Sequence, residues 1–435
     1  YEVIVVDDAS DDETQTMLDG ISGIKVVRAK HQSGFILSCN LGAKSARGKY
    51  FLFLNNDCQV TKGWIQPLID LLKKDEHVGW VGPKLVYPDG TLQEAGGIVW
   101  RDGSAWNYGR GDDPLRPEYN YRRPVDYCSG ACFIIRSDLF RKLGGFDLQY
   151  VPAYAEDMDL AFKVREAGYK VLYQPASTVV HFEGVSTDKR MFTGIKSHQI
   201  LNQQKFAVQW QDVLKAHRVN GSCVHLEKDR FAKYRILVLD QVMITPDMDS
   251  GSLRMFNLLQ ELVAMDIKVV FATMYLEDRE PYTGMLQNIG VEVLYPPYVR
   301  TVEQYLQTHG RDFDIVLLSR SDVAEFFMDL VRRHAPSALV VFDTVDLHFL
   351  REERMAQVHK SRSLCSLAAK RKKTELGLMG KSDMVLVVSS YEKDLLATEC
   401  PQSRVEILSN IHDVYPLGAG FDERDGILFI GGFNH

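Results

Sequence analysis

The stretch Glu2-Val3-Ile4-Val5-Val6-Asp7-Asp8-Ala9-Ser10 decides how the first half of the chain is interpreted. Its short apolar run ends abruptly in polar residues, which is typical of a buried strand that meets a turn. Similar runs follow at residues 24–27 and 50–54, and a helical pattern lies between them at 34–46. Strands that alternate with helices predict an α/β sheet. In an open α/β sheet, ligands bind beyond the carboxyl ends of the strands, which is where Asp7 and Asp8 stand.

A second series of short apolar runs begins near Tyr234. Each run is separated from the next by a helical or loop segment, and this order predicts a doubly wound parallel sheet. The runs are residues 236–239, 268–272, 291–295, 314–318, 339–342 and 384–388.

The two series predict two α/β domains. Residues 1–218 form the first, and an amphipathic stretch near 198–214 closes it. The polar stretch 219–233 is predicted to be a linker, 234–425 the second domain, and 426–435 the start of another. Because residue 1 already lies in a predicted strand and the last residues run into a new turn, both ends are expected to lie inside a longer polypeptide.

The composition is that of an ordinary globular protein. The net charge is −7 over 435 residues, so no global basic field draws the chain to nucleic acid. The seven scattered cysteines predict reduced thiols and a cytoplasmic protein. No apolar run is long enough to cross a membrane. The densest basic run, at 370–373, is typical of a solvated helix face; the alternative is peripheral contact with anionic lipid at the inner face of the membrane.

Two acidic turns follow predicted strands. Asp7 and Asp8 could accept hydrogen bonds from a nucleobase N–H or a ribose hydroxyl, although local turn capping would also explain them. The turn Asn55-Asn56-Asp57 follows an apolar strand. A carboxylate there could hold Mg²⁺ or Mn²⁺ against a diphosphate, and the alternative is an ordinary Asn/Asp turn.

A third acidic group opens a predicted helix at Glu156-Asp157-Met158-Asp159. Acidic residues in a first turn stabilise a helix, but three carboxylates in four residues repel each other, so a structural role explains the set poorly. Asp157 is the candidate general base for a sugar hydroxyl. His181 ends a later strand, and its place after this helix favours a metal ligand over a structural histidine.

The order of these motifs resembles the inverting family 2 glycosyltransferases with the GT-A fold, over about the first 215 residues. Two features depart from the family. The metal turn carries one carboxylate where the family has Asp-x-Asp, and the family's first strand, with its Pro-x-Tyr-Asn turn and part of the nucleotide pocket, is expected to be missing because the chain begins too late. The matching features are Val5-Val6-Asp7-Asp8-Ala9-Ser10, Gly34 with Asn40-Leu41-Gly42, Ala46-Arg47-Gly48, Phe53-Leu54-Asn55-Asn56-Asp57, Gly144-Gly145-Phe146-Asp147, the Glu156 helix and His181.

The resemblance implies a role for each motif. The nucleoside-diphosphate-sugar donor would be bound at Asp7, Asp8, Asn55, Asn56 and Asp57. A divalent metal, Mg²⁺ or Mn²⁺, would be held by Asp57 and His181. Asp157, with Glu156 beside it, matches the position of the catalytic base. The acceptor pocket would be lined by Ser129, Gly130 and Ala131, with Asp159.

The second half, from about residue 234, resembles the amino-terminal domain of a family 4 glycosyltransferase with the GT-B fold. Gly251 lies in a loop that enters a helix, where backbone N–H groups can hold an anion. Gly251, Arg254 and Asp346 are predicted to line this domain's cleft. In that family the donor binds mainly to a second Rossmann domain, which would begin at Gly426, so this half is expected not to transfer sugar by itself.

The resemblance therefore implies an inverting glycosyltransferase that acts on a growing surface glycan such as O-antigen or capsule, or on a lipid-linked glycan. A nucleotidyltransferase is the competing enzyme class, and it would need a Gly-rich loop with Arg and Lys, which does not follow Val6. A glycan-binding scaffold with a decayed centre is the other alternative. The presence of Asp57, Asp157 and His181 argues against it, whereas Asn55 keeps it open.

Overall fold

The computed structural model of the protein describes residues 1–183, 192–412, 416, 418 and 420–427, with nothing given for the side chains of 192–197. It divides into two units, Tyr1–Phe231 and Ala232–His435. Of the domain predicted to start at 426–435, all but the first two residues lie outside the described part.

The first unit alternates strands and helices, as predicted. Its strands are β1 (Val3–Asp7), β2 (Ile24–Arg28), β3 (Tyr50–Leu54), β4 (Cys58–Val60), β5 (Val78–Val86), β6 (Leu92–Glu94), β7 (Gly97–Val99), β8 (Ala105–Asn107), β9 (Arg123–Pro124), β10 (Cys132–Arg136) and β11 (Lys170–His181). Its helices are α1 (Thr14–Asp19), α2 (Phe35–Ser45), α3 (Ile65–Lys74), α4 (Ser137–Lys142), α5 (Glu156–Glu166), α6 (Phe192–Gln209), α7 (Gln211–Leu214) and α8 (Val224–Glu227).

A mixed seven-stranded sheet forms the centre of the first unit. Its path is β3-β10-β5-β11-β4, with β6 paired to β5 and β9 paired to β11. Strands β1 and β2 form a separate parallel pair, and β7 and β8 form a hairpin. Every residue of β5 is buried, so this strand is the middle of the core. The α/β class predicted for this half is confirmed.

Aromatic packing fixes the layer over the sheet. Trp80 of β5 stacks on Phe133 of β10 at a ring-centroid distance of 4.0 Å, and Phe53 of β3 stacks on the other side of Phe133 at 4.8 Å. Phe146 meets Phe53 edge-on at 5.7 Å. Such pairs add roughly 0.5–1.5 kcal/mol beyond their buried area. They hold the strand ends from which the site residues project.

The stretch 219–233, predicted to be a linker, belongs for the most part to the first unit. It contains α8, and Glu227 is buried, where it pairs with Arg218 at 2.8 Å. Arg230 pairs with buried Asp126. Polar composition indicated solvent exposure, but these charges are neutralised by partners more remote in the sequence, which a local pattern does not reveal.

The second unit contains a seven-stranded sheet whose paired strands are all parallel. Its strands are β12 (Tyr234–Asp240), β13 (Ile267–Thr273), β14 (Glu292–Val293), β15 (Ile315–Ser319), β16 (Leu339–Asp343), β17 (Met384–Val387) and β18 (Val405–Ile407). Its helices are α9 (Ser250–Ala264), α10 (Tyr282–Ile289), α11 (Val302–His309), α12 (Ser321–His334), α13 (His348–His359), α14 (Arg362–Lys381) and α15 (Ser390–Glu399).

The strand order β14-β13-β12-β15-β16-β17-β18 confirms the predicted doubly wound sheet. The order reverses between β12 and β15, and ligands of such sheets bind at that switch point, beyond the carboxyl ends. The six apolar runs predicted β12 to β17 to within a few residues, because strands covered by helices on both faces are mostly apolar. Strand β18 was not predicted.

The basic run at 370–373 lies in α14, and half of it is engaged within the chain. Arg371 pairs with Asp322 at 2.7 Å, and Lys372 pairs with Glu399 at 2.7 Å. These pairs favour the solvated helix face over the lipid contact. Within the described residues, no helix is both long and apolar enough to span a membrane.

Gly97 offers a test of how tightly the first unit is packed. A Cβ at this position would lie 1.9 Å from the ring of Tyr127. Gly97→Ala should therefore lower the free energy of unfolding of the first unit by about 3 kcal/mol, since the buried ring must move. All five tryptophans lie before residue 232, so tryptophan fluorescence during urea unfolding reports this unit alone.

Gly20→Ala is the matched control, because its Cβ would make an ordinary contact with the Met17 carbonyl at 3.4 Å. Equal unfolding midpoints for the two variants would contradict the packing described here.

Candidate functional site

The site residues predicted for the first half converge on one cleft of the first unit, with one exception. The exception is Asp159, which does not line the cleft. The residues that do are Asp7, Asp8, Asn55, Asn56, Asp57, Ser129, Gly130, Ala131, Glu156, Asp157 and His181.

Strand pairing brings Asp57 and His181 together. Strands β4 and β11 are antiparallel with His181 opposite Cys58, so Asp57, just before β4, meets the end of β11. Asp57 Oδ1 lies 3.3 Å from His181 Nε2, and both side chains are largely buried. Ligand atoms of Asp57, Cys58 and His181 all lie within 4.8 Å of one another.

The donor atoms of this group fit a divalent cation. Asp57 Oδ1 is buried and has no hydrogen-bond partner among the described residues. A buried carboxylate oxygen without a donor is costly, and a cation would satisfy it. Burial, with the Asp57 charge, raises the pKa of Cys58 to about 12, so its thiol stays protonated. Asp57 and His181 are therefore the two residues of the group that could hold the ion, and a carboxylate with an imidazole suits Mn²⁺ better than Mg²⁺, which prefers oxygen ligands.

Asp157 faces the cleft from the first turn of α5. Its Oδ2 accepts a hydrogen bond from the Gly130 N–H at 3.1 Å, and its Oδ1 accepts one from the Met158 N–H at 2.8 Å. Burial raises the pKa of Asp157, while these N–H donors oppose the rise. A carboxylate with a raised pKa that still meets the cleft is suited to take a proton.

Glu156 is less suited than Asp157 to act as the general base. It is more deeply buried, and its Oε2 has no partner among the described residues. Burial, then repulsion from Asp157, raises the pKa of Glu156 to about 8. Because Asp157 has two N–H donors, we infer that the pair's first negative charge resides on Asp157 while Glu156 keeps its proton.

Asp159 is completely buried, and its placement does not favour the predicted contact with the acceptor. Its Oδ1 accepts from the Trp210 indole N–H at 2.9 Å and from Gln209 at 2.9 Å. Its Oδ2 pairs with Lys163 at 2.7 Å. Asp159 therefore fastens α5 to the end of α6, and the third carboxylate of the acidic group has a structural explanation.

Asp8 holds the entry to α2. Its two oxygens accept from the Ser33 N–H at 2.9 Å, the Ser33 hydroxyl at 2.7 Å and the Gly34 N–H at 2.8 Å. Burial raises the pKa of Asp8, but these hydrogen bonds outweigh it and keep the pKa below its usual value. Asp7 is buried and accepts from the Ser10 N–H at 3.0 Å. Both remain charged on the cleft wall, as the donor-site prediction requires.

The loop with Ser129, Gly130 and Ala131 joins the two halves of the site. Gly130 donates to Asp157, as described, and the Ala131 carbonyl accepts from the Asn55 N–H at 2.9 Å. A Cβ on Gly130 would lie 3.1 Å from the ring of Phe35, so a side chain is poorly accommodated there. The loop thus ties the candidate base to the turn that carries Asp57.

Sequence reasoning missed two polar residues of β6. Glu94 is completely buried, and its Oε1 accepts from the Ser129 N–H at 2.9 Å. Gln93 is also buried, and its Oε1 lies 2.9 Å from His181 Nδ1. The available signal was a Gln-Glu pair placed between apolar residues just before Gly96-Gly97, where no turn explains it.

In the second unit, two of the three predicted cleft residues lie near the switch point. Gly251 is the second residue of α9, and a Cβ there would approach the Arg320 guanidinium to 3.4 Å. Asp346 follows β16 and pairs with His348 at 3.2 Å and Arg351 at 2.8 Å.

Arg254 is not available on an open surface. It is 2% exposed and forms a two-pronged pair with Asp343, at 2.6 and 3.0 Å. It also donates to the Leu408 carbonyl at 2.9 Å. The prediction that Arg254 lines the cleft therefore gives way to a structural role that joins α9 to the ends of β16 and β18.

Comparison with known proteins shows what part of the chain is similar to. Residues 1–144 match the family described as Glycosyl transferase family 2. The O-antigen biosynthesis protein RfbC of Myxococcus xanthus is 30% identical over 197 residues, 43% of this chain and 15% of that protein. Polypeptide N-acetylgalactosaminyltransferase 12 of Mus musculus is 24% identical over 332 residues, 71% of this chain and 53% of that protein. The chain thus spans about half or less of the length of these relatives.

A solved structure, GalNAc-T7 with UDP, GalNAc and Mn²⁺, is 20% identical with a TM-score of 0.41, covering 49% of this chain and 44% of that one. The N-terminal part of the chain, residues 1–144, is therefore similar to glycosyltransferase family 2 domains.

Glu94 makes the stability of the first unit depend on pH. Burial raises its pKa from 4.5 to about 8. Between these values the unfolded chain has lost a proton that the folded chain keeps, so stability falls as the pH rises. Glu94→Gln cannot ionise, and its free energy of unfolding relative to the wild type should increase from about pH 5 to about pH 8, by at most about 1.4 kcal/mol per pH unit. Urea unfolding followed by tryptophan fluorescence measures it.

Glu166→Gln removes a carboxylate from the exposed end of α5 and serves as the control. It should follow the pH profile of the wild type. A Glu94→Gln profile parallel to both would show that Glu94 is already ionised in the folded protein.

Proposed function

We propose that the first unit is an inverting glycosyltransferase that moves a sugar from a nucleoside-diphosphate sugar to a hydroxyl of a growing surface glycan, such as O-antigen or capsule, or of its lipid-linked form. The observation that carries this proposal is the shared cleft: Asp157 lies on it together with Asp57 and His181. The family match of residues 1–144 supports the reaction class, and the name of the Myxococcus relative supports the glycan acceptor.

The chemistry would be a single displacement. Asp157 takes the proton of the acceptor hydroxyl as its oxygen bonds to the anomeric carbon of the donor sugar. The bond from that carbon to the diphosphate breaks, and its electrons leave with the diphosphate. Attack from the opposite face inverts the anomeric centre. Asp157 is held for this step by the Gly130 and Met158 N–H groups, which favour its charged form before the reaction and fix its direction.

A divalent cation, Mg²⁺ or Mn²⁺, would be held by Asp57 and His181, and when bound it would neutralise charge on the leaving diphosphate. The partnerless Asp57 Oδ1 supports this assignment. Asp7 and Asp8 lie on the cleft wall at the end of β1, so we assign them to the nucleoside, with Asn55 and Asn56 beside the diphosphate. The loop at 129–131 would face the acceptor.

For the second unit we propose the amino-terminal domain of a family 4, GT-B type glycosyltransferase. Its parallel strand order supports this proposal, with Gly251 and Asp346 beyond the carboxyl ends. The unit is proposed to contribute an acceptor-facing surface and no complete donor site.

Two competing functions remain distinguishable by a simple assay. A nucleotidyltransferase would release inorganic pyrophosphate from a nucleoside triphosphate, and a decayed scaffold would bind glycan without turnover. The proposed enzyme instead releases a nucleoside diphosphate from a nucleotide sugar, and only with a divalent metal.

Asp157→Asn should lower the rate of sugar transfer by about 10²–10⁴-fold, the usual cost of losing a general base. Nucleotide-sugar affinity should stay near that of the wild type, because the base acts in the transition state and contributes little to ground-state binding. Steady-state kinetics and calorimetric titration of the nucleotide measure the two effects. The amide oxygen can still accept from Gly130, which keeps the loop in place.

Asp138→Asn is the matched control, an exposed carboxylate in the first turn of α4. It should leave transfer unchanged. Transfer by Asp157→Asn at the wild-type rate would remove this residue from the proton step and direct attention to Glu156.

Asp57→Asn and His181→Asn should each weaken Mn²⁺ binding by about tenfold or more, since each removes one of two protein ligands. Electron paramagnetic resonance of free Mn²⁺ during a titration measures the loss. His77→Asn, an exposed histidine of the same unit, should bind Mn²⁺ as the wild type does. Unchanged affinity in both site variants would rule out this metal site.

A further inference from the structure

A row of hydrogen bonds lies behind His181 in the first unit. Arg110 and the Tyr87 hydroxyl both donate to Glu183 Oε2, at 2.7 and 2.8 Å. The Gln93 side-chain amide donates to the same oxygen at 3.2 Å. Gln93 Oε1 then lies 2.9 Å from His181 Nδ1. Each residue is thus oriented by the one behind it.

The row determines which way Gln93 faces. Glu183 Oε2 accepts from Arg110 and Tyr87, so the group that Gln93 presents to it must be the donating NH₂. The carbonyl oxygen of Gln93 must then face His181. Glu183 therefore settles an amide orientation that the Gln93 side chain by itself leaves open.

The orientation of Gln93 in turn determines the tautomer of His181. A carbonyl oxygen only accepts, so His181 Nδ1 carries the hydrogen. In the neutral ring Nε2 then carries a lone pair and no hydrogen. Nε2 lies 3.3 Å from Asp57 Oδ1. Two acceptors face each other there, and Asp57 Oδ1 has no donor among the described residues. A cation between the two atoms would satisfy both.

We propose that Gln93 is a positioning residue of the metal centre: its side-chain carbonyl holds His181 as the Nδ1–H tautomer and so delivers Nε2 as a ligand beside Asp57. This inference rests on the proposed function. A hydrogen bond to the far nitrogen of a ligating histidine fixes the ring and raises its basicity, and its loss costs about 10–100-fold in metal affinity.

The place of Gln93 on β6 gives the role a second support. Successive side chains of a strand point to opposite faces. Gln93 meets His181, and its neighbour Glu94 meets the Ser129 N–H of the loop that holds Asp157. One short strand thus supports the metal ligand with one residue and the loop beside the base with the next.

The test uses the full chain and two kinds of variant. Gln93→Met keeps the length of the side chain and removes its oxygen. Gln93→Glu combined with Glu183→Gln exchanges the two groups, so that a carboxylate at position 93 can still accept from Nδ1 while an amide at position 183 donates to that carboxylate. Gln66→Met, at an exposed position, is the control.

The first readout is the tautomer of His181 in metal-free protein, from ¹⁵N shifts of labelled histidine assigned by comparison with His181→Asn. The wild type and the exchanged pair should show the Nδ1–H form, and Gln93→Met should show the Nε2–H form or a mixture. The second readout is the affinity for Mn²⁺ alone. It should fall about 10–100-fold in Gln93→Met and return to within about threefold of the wild type in the exchanged pair.

If Gln93→Met shows the tautomer and the Mn²⁺ affinity of the wild type while His181→Asn binds Mn²⁺ poorly, the role of Gln93 is overturned. The metal site itself would then stand. If Gln93→Met does not fold, failure of the exchanged pair to hold the Nδ1–H form would overturn it equally. Undiminished Mn²⁺ binding in His181→Asn and Asp57→Asn would overturn the metal site itself, and the role of Gln93 with it.

Discussion

The hydrogen bond from the Gly130 N–H to Asp157 is the interaction on which the rest of the site depends. It fixes the carboxylate that opens α5 against a loop whose other backbone groups are also engaged, by Glu94 on one side and Asn55 on the other. The loop therefore connects the candidate base, Asp157, to the turn that carries the candidate metal ligand Asp57. Each of these bonds uses a backbone N–H or carbonyl of the loop, so the path of the loop sets how the two chemical groups lie relative to each other.

Most of the fold was predictable because buried strands leave a strong sequence pattern. In the second unit each predicted apolar run became a parallel strand, since strands covered by helices on both faces are mostly apolar. The segment 219–233 was not predictable. The segment has the polar composition of a linker. Only the ion pairs of Glu227 with Arg218 and of Arg230 with Asp126 show that it belongs to the first unit.

The convergence of candidate residues on one cleft was predictable for those that stand at strand ends, as Asp8, Asp57 and His181 do. It was not predictable where a partner lies far along the chain. Asp159 resembles the other acidic residues of α5 in the sequence, yet it accepts a hydrogen bond from Trp210, which lies between α6 and α7. The sequence alone suggests that Arg254 lines the cleft, but in the structure Arg254 is buried in an ion pair with Asp343. A sequence shows which side chains can carry charge, whereas burial and pairing decide which of them remain available to a ligand.

The turn before β6 decides which face of the sheet Gln93 and Glu94 occupy, and this has an evolutionary consequence. The turn closes through the Tyr87 N–H on the Thr91 carbonyl at 2.8 Å, and it passes through Gly90 at φ 87°. Gain or loss of one residue in this turn would shift the pairing register of β6 by one residue. The side chains of Gln93 and Glu94 would then exchange faces of the sheet. Selection should therefore conserve the length of the turn, together with Asp89, which accepts from the Thr91 N–H at 2.9 Å, more strictly than Pro88.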